Sequence, residues 1–166
     1  MVSISLNPFL LSFFLYLMVI GPSYSLSYFK VETLQGEAEF MGRPLKQGEK
    51  VKKGGLLKVS RKSFLGILLP EWNARLVLSP GSQLEVDFDS KEGKKILIKK
   101  GALRWTSFKL EDSEKLKRKS KKGFLFTSHA KVVIRGTDFF LQIGSAFQET
   151  ELVVLDGKIL FQSLVI

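Results

Sequence analysis

A chain of 166 residues, 45% hydrophobic and 25% charged, holds one globular domain and little more. It has no cysteine and one histidine, which excludes disulfides, a cysteine nucleophile, and thiolate or imidazole metal clusters built from a single chain. Lysine plus arginine exceeds aspartate plus glutamate by ten, so the protein is strongly basic, a charge that serves solubility or draws it to polyanions.

The first 29 residues carry no charged side chain. Within them "PFLLSFFLYLMVIG" is a hydrocarbon run of about 14 residues, the length of a signal-peptide core and short of the roughly 20 needed to span a bilayer. Gly21-Pro22 breaks a helix, and Ser23 and Ser25 place small residues at the −3 and −1 positions of a cleavage site before Leu26. The expectation is a signal peptide over 1–25, a mature domain over 26–166 and a periplasmic or exported location. The absence of a basic n-region leaves an uncleaved inner-membrane anchor as the alternative.

Beyond the leader the chain is a series of short alternating runs, which predicts an all-β domain. In "ILIKKGALRW" Ile96, Ile98, Leu103 and Trp105 flank Gly101, and in "LVVLDGKILF" Leu152, Val154, Ile159 and Phe161 flank Gly157 at the same spacing. "VETLQGEAEF" repeats the pattern around Gly36, with Thr33 in one apolar slot. If Gln35-Gly36, Lys100-Gly101 and Asp156-Gly157 are two-residue turns, each unit is a hairpin with one apolar face; sharp corners between stacked strands fit the same pattern. "LVLSPGSQLEV" is a looser relative with a longer turn. The copies begin at residues 31, 96 and 152, so their unequal intervals exclude a strict tandem solenoid. The predicted fold is one compact domain of short strands and X-Gly turns, solenoid-like or a sandwich.

"KVVIRGTDFFLQI" breaks its own alternation. Val132 and Ile134 share one face, but Phe139 and Leu141 join it only if the count slips by one residue. Gly136 is suited to absorb that slip through a bulge or kink, held by a positive φ or by a neighbouring strand in close contact. Arg135 is then expected to brace the corner with its guanidinium, where lysine would be a poor substitute, and the Thr137 hydroxyl to bond a freed carbonyl.

"GFLFTSHAKVVIRGTDFFLQIG" followed by "TELVVLDGKILFQS" resembles the FecR domain, whose signature runs from a Thr-led strand through Val-Arg-Gly-Thr-x-Phe to a short strand, Gly-Lys and a final strand. Upstream, "GEAEFMGRPLKQGEKVKKGG", with its Leu45 to Gly48 step, and "ARLVLSPGSQLEV" are similar to the family's Gly-rich opening and its Gly-Ser pair. The resemblance covers about 30–162 and is most specific at Arg135, Gly136, Thr137 and Phe139. It implies a periplasmic module. FecR-type regulators add a sigma-factor-binding segment, a membrane helix and a receptor-contacting region; nothing charged precedes the apolar leader here, so the expectation is a stand-alone FecR-like module with an envelope protein as partner.

No catalytic constellation is legible, and neither an enzyme activity nor a cofactor or metal is expected. His129 lies in "TSHAK" without a nucleophile-elbow pattern. Ser128 and Lys131 point to opposite faces of a strand, unlike a serine–lysine pair on a helical turn. Asp87 and Asp89 share a strand face and read as a solvated face opposite Val86 and Phe88. The densest charge is "KLEDSEKLKRKSKK", residues 109–122, with seven bases against three acids. Lys115, Lys117, Arg118, Lys119, Lys121 and Lys122 form a candidate anion-binding loop for a glycan or lipid surface. Trp105, Phe108 and Phe124 flank that run and do not interleave with it, so nucleic acid is not expected.

Overall fold

Alternation along a strand decides which side chains face the core, and in this chain the alternation changes phase at glycines. The computed structural model describes residues 28–52, 54–88, 95–108, 123–144 and 149–164. Three of its bent elements are β1 (Phe29–Gln35) with β2 (Ala38–Phe40), β9 (Lys95–Ser107) and β12 (Thr150–Ser163). They turn at Gly36, Gly101 and Gly157, where φ is +83°, +91° and +88°. Before the bend in β9, Ile96 and Ile98 are buried; after it, Leu103 and Trp105 are. Of the two readings of this spacing, the sharp corner is the one found: Gly101 and Gly157 lie inside continuous strands, and Gly36 joins two strands at a corner.

The remaining strands are β3 (Arg43–Pro44), β4 (Lys50–Val51), β5 (Gly55–Val59), β6 (Phe64–Leu69), β7 (Ala74–Leu78), β8 (Gln83–Asp87), β10 (Gly123–Phe126) and β11 (Ala130–Ile143), with a 3-10 turn at Pro70–Trp72. Each bend carries the chain from one half-sheet to the other. The first half-sheet runs β4, β1, β6, β7, then the second half of β9, the second half of β11 and the first half of β12. The second runs β3, β2, β5, β8, the first half of β9, β10, the first half of β11 and the second half of β12. Among these pairs, β10 with β9 is parallel and the others are antiparallel. The half-sheets curl onto each other into a single β domain, a closed five-strand barrel with further strands outside it.

The inner faces form one apolar cluster. Phe29 of the first half-sheet meets Phe40 of the second edge-on at 5.6 Å. Trp105 stacks on Phe139 at 6.1 Å and 9°, and Trp72 leans on Trp105 from the 3-10 turn. Each fully buried side chain of this size contributes about 1.5–3 kcal/mol, so the alternation that places them is worth more than any surface contact.

The corners share one construction. Opposite Gly36, Gly101 and Gly157 stand Ser63, Ser82 and Thr137, all buried. A Cβ on Gly36 would lie 2.9 Å from Ser63 Cβ, on Gly101 2.7 Å from Ser82 Cα, and on Gly157 2.8 Å from the Gly136 carbonyl oxygen and from Thr137 Cγ2. At the first two corners the residue after the glycine bonds the hydroxyl: Glu37 N–H donates to Ser63 Oγ at 2.8 Å, and Ala102 N–H to Ser82 Oγ at 3.2 Å. The Ser82 hydroxyl donates in turn to the Ala102 carbonyl.

β11 shows the phase slip expected at Gly136. Its φ is +61°, the register against β12 shifts between Arg135 and Asp138, and Val132, Ile134, Phe139 and Leu141 are all buried. A Cβ there meets open space, so conformation and not contact requires glycine. The close approach falls on Gly157 across the corner. Gly136→Ala should therefore cost about 1–2 kcal/mol, the strain of a left-handed alanine. Gly157→Ala should cost roughly 3 kcal/mol or more, because strain and overlap with a backbone carbonyl add. Urea unfolding of the two variants checks this; equal or reversed losses would contradict the corner geometry.

Candidate functional site

The "RGTDF" segment is built into the corner. Arg135 pairs with Lys158 through the backbone, and Phe139 is fully buried against Trp105. The brace expected of the Arg135 side chain lies outside what the structure describes. Thr137 does not play the part expected of it: its Oγ1 is buried with no hydrogen-bond partner among the described residues. It packs its methyl toward Gly157 and leaves the hydroxyl unpaired, a cost of about 1–3 kcal/mol.

The residue that sequence reasoning passes over is Asp138. Arg104 of β9 donates to it twice, from Nε to Oδ1 at 3.1 Å and from Nη2 to Oδ2 at 2.7 Å, and Thr106 Oγ1 donates to Oδ1 at 3.3 Å. The hydrogen bonds from Arg104 hold the Asp138 carboxyl below its ordinary value, and those to Asp138 hold the guanidinium above its own. This fork ties β11 to β9 at the residue where their ladder begins, Asp138 opposite Thr106. The motif is thus built into a structural joint between β9 and β11.

Outside the corners there is a cleft. The turns at 60–63 and 79–82, the first half of β9, the turn before β11 and the end of β11 enclose about 680 Å³. Arg61, Lys99 and Lys100 supply its charge, and Gly81, Gly101 and Gly144 leave backbone accessible between them. Lys99 is paired with Glu85 at 2.7 Å, whereas Arg61 and Lys100 have no carboxylate partner among the described residues. Two backbone locks fix the far wall. Thr127 Oγ1 accepts from the Ala130 and His129 N–H groups and meets the Thr150 hydroxyl at 2.8 Å, and Gly144 N–H donates to the Glu149 carbonyl. Its arginine and lysine side chains favour anionic groups, and Ser128 on its wall has its hydroxyl against the His129 ring.

The only histidine is accounted for locally. His129 Nδ1 lies 2.7 Å from Ser128 Oγ on an exposed turn, and no carboxylate orients the ring among the described residues. Asp87 is exposed beside buried Val86 and partly buried Phe88, while Asp89 lies outside the described residues. No group of three or more metal-ligating side chains occurs among the described residues.

The candidate loop residues Lys115, Lys117, Arg118, Lys119, Lys121 and Lys122 also lie outside the described residues, as does the leader. The strand directly after the loop is β10. Its Phe124 and Phe126 flank buried Leu125 and face outward, their rings 6.5 Å apart. Lys131 Nζ sits 4.8 Å from the Phe124 ring centre, and Lys95 Nζ 5.6 Å from that of Phe126. No helix among the described residues is long and apolar enough to cross a membrane.

Comparison with protein-family models and with curated proteins finds no match to this chain. The FecR likeness therefore rests on the motif residues themselves, Arg135, Gly136, Thr137 and Phe139 above all.

The fork gives a pH signature. A carboxyl whose folded-state value is depressed contributes stability above its unfolded value, and loses it as pH falls through the folded one. Asp138→Asn should lower Tm by a few degrees at pH 7. The difference from the parent should shrink once pH drops below the ordinary 3.8 and vanish as the folded carboxyl protonates. Thermal melts of both proteins from pH 7 to pH 2 read this directly; a difference that stays constant with pH would refute the pairing.

Proposed function

We propose that this chain is a non-enzymatic, FecR-like binding or scaffolding module of the bacterial cell envelope, exported to the periplasm, where it holds an envelope protein partner. The observation that carries the reading is the cationic cleft: a concave surface of about 680 Å³ with Arg61 and Lys100 unpaired among the described residues. An acidic segment of a partner protein suits it, since carboxylates can take the guanidinium and ammonium while the glycine-lined floor admits its backbone. The stacked half-sheets supply a rigid frame for that surface. A photo-crosslinking amino acid at Ile143, inside the cleft, should give one discrete adduct in living cells. The same probe at exposed Glu39 should not, and Arg61→Ser/Lys100→Ser should abolish the adduct. Equal labelling from both positions would refute the cleft as the partner site.

A second reading is favoured by the outer face of β10. Aromatic rings crowned by Lys131 and Lys95, directly after the basic loop 109–122, form a surface of the kind that adheres to anionic lipid or glycan. In this reading the protein is a basic adaptor. Replacing Lys117, Arg118, Lys119 and Lys121 with serine should then abolish co-sedimentation with phosphatidylglycerol vesicles at low salt, while Tm moves by no more than about 0.5 kcal/mol would produce. Retention by the parent should also fall steeply as salt rises. Salt-insensitive retention, or full retention by the serine variant, would remove this reading.

A further inference from the structure

The two ends of the sheet are finished differently. At the β1–β2 end, β4 and β3 add short outer strands, and Leu45 and Val51 fold over the core and are buried. At the other end β12 pairs with β11 alone, leaving 14 residues of edge without a second neighbour among the described residues. Its apolar side chains are not covered either. Val154 and Phe161 turn inward but remain 43% and 44% exposed, and Val153 and Leu160 on the outer face are 58% and 62% exposed. With Leu155 these leave roughly 400–500 Å² of apolar surface, the upper range of what a lone monomer shows.

We propose that this edge is a homodimer interface, in which β12 pairs antiparallel with β12 of a second copy. The bend selects the occupant. A straight strand cannot follow β12 from one half-sheet into the other, so a full-length partner must bend at its own midpoint. β12 spans Thr150–Ser163 and its bend at Gly157 adjoins the strand's midpoint, with arms of nearly equal length. Turned about a two-fold axis between Asp156 and Gly157, a second copy therefore has its bend where the first one does.

In that register each face meets its like. Toward the core, Leu152 lies opposite Phe161 of the second copy and Val154 opposite Ile159; outward, Val153 lies opposite Leu160. The inward set is the continuation of rows that already pair in β11, where Leu141 faces Leu152, Phe139 faces Val154 and Ile134 faces Ile159. Joining the edges covers on the order of 1,000 Å² in total, the lower bound of a specific interface, and satisfies two rows of backbone donors and acceptors. Lys158 on the edge discourages pairing with unrelated flat strands. The interface uses none of the cleft's lining residues, so it stands apart from the proposed partner site.

The test exploits the absence of cysteine. Sedimentation of the purified protein should show a dimer at roughly 10–100 µM. Leu160→Lys, at an exposed position, should keep the circular dichroism of the parent and weaken dimerisation by about 100-fold. Oxidising a mixture of Val153→Cys and Leu160→Cys proteins should give the mixed disulfide dimer, and either variant alone should give little. A parent that stays monomeric, a Leu160→Lys protein that dimerises like the parent, or Val153→Cys chains that cross-link among themselves as readily as in the mixture would each overturn the proposal.

Discussion

The fold hangs on one contact made three times: a glycine with φ near +85° pressed against a buried serine or threonine. A strand can serve two packed half-sheets only if it turns through a sharp angle and reverses which parity faces inward. A left-handed residue does both in one step, and the close approach of the opposite strand then leaves no room for a Cβ. At two of the corners the hydroxyl opposite takes over the backbone donor that the turn would strand, which lets the corner stay dry. Everything apolar depends on it, since the same bend puts Ile96 and Ile98 in one wall and Leu103 and Trp105 in the other.

The third corner is the imperfect one, and it coincides with the "RGTDF" segment. Ser63 and Ser82 bond the chain opposite, whereas Thr137 fills the space with its methyl and leaves its oxygen unpaired among the described residues. Compensation comes from the next residue. Asp138 takes a two-pronged bond from Arg104, so the joint between β9 and β11 is held at the surface by charge where its neighbours are held inside by a hydroxyl. This accounts for "RGTDF" as a unit of folding without assigning it any ligand.

How much of this could be read from the sequence differs by element. The phase slip at Gly136 was legible because Val132, Ile134, Phe139 and Leu141 are unmistakably apolar and only one residue between them can bend freely. The spacing around Gly101 and Gly157 was ambiguous for a physical reason: a hairpin and an in-strand bend both put two apolar pairs on one side of a glycine, and alternation carries no record of whether the arms pair with each other or with other strands. The Ser82 corner lay in plain view as "SPGS", yet nothing local says that its partner is Gly101, 19 residues on in the chain. Asp138 escaped because a carboxylate in a strand looks like any solvated residue until the register brings Arg104 across from Phe140, two places along the same strand. The cleft is a product of assembly: Arg61, Lys100 and Ser128 come from three separate turns and strands that no motif connects.

The corner also governs what the surface can do. The turns at 60–63 and 79–82 lie beside the bend at Gly101, and there Arg61, Gly81, Lys100 and Gly101 line one cleft. β12 is itself bent at Gly157, so the straight, charged strand that commonly ends a sheet cannot follow its whole edge. β12 accordingly keeps apolar residues on both faces where an end strand would ordinarily turn polar. A chain that covers Val51 and Leu45 at one end and leaves Val153, Leu160 and Phe161 open at the other has treated its two ends unequally. The hydrophobic term that built the interior acts just as strongly on that open rung, and it is satisfied when another bent strand continues the stack.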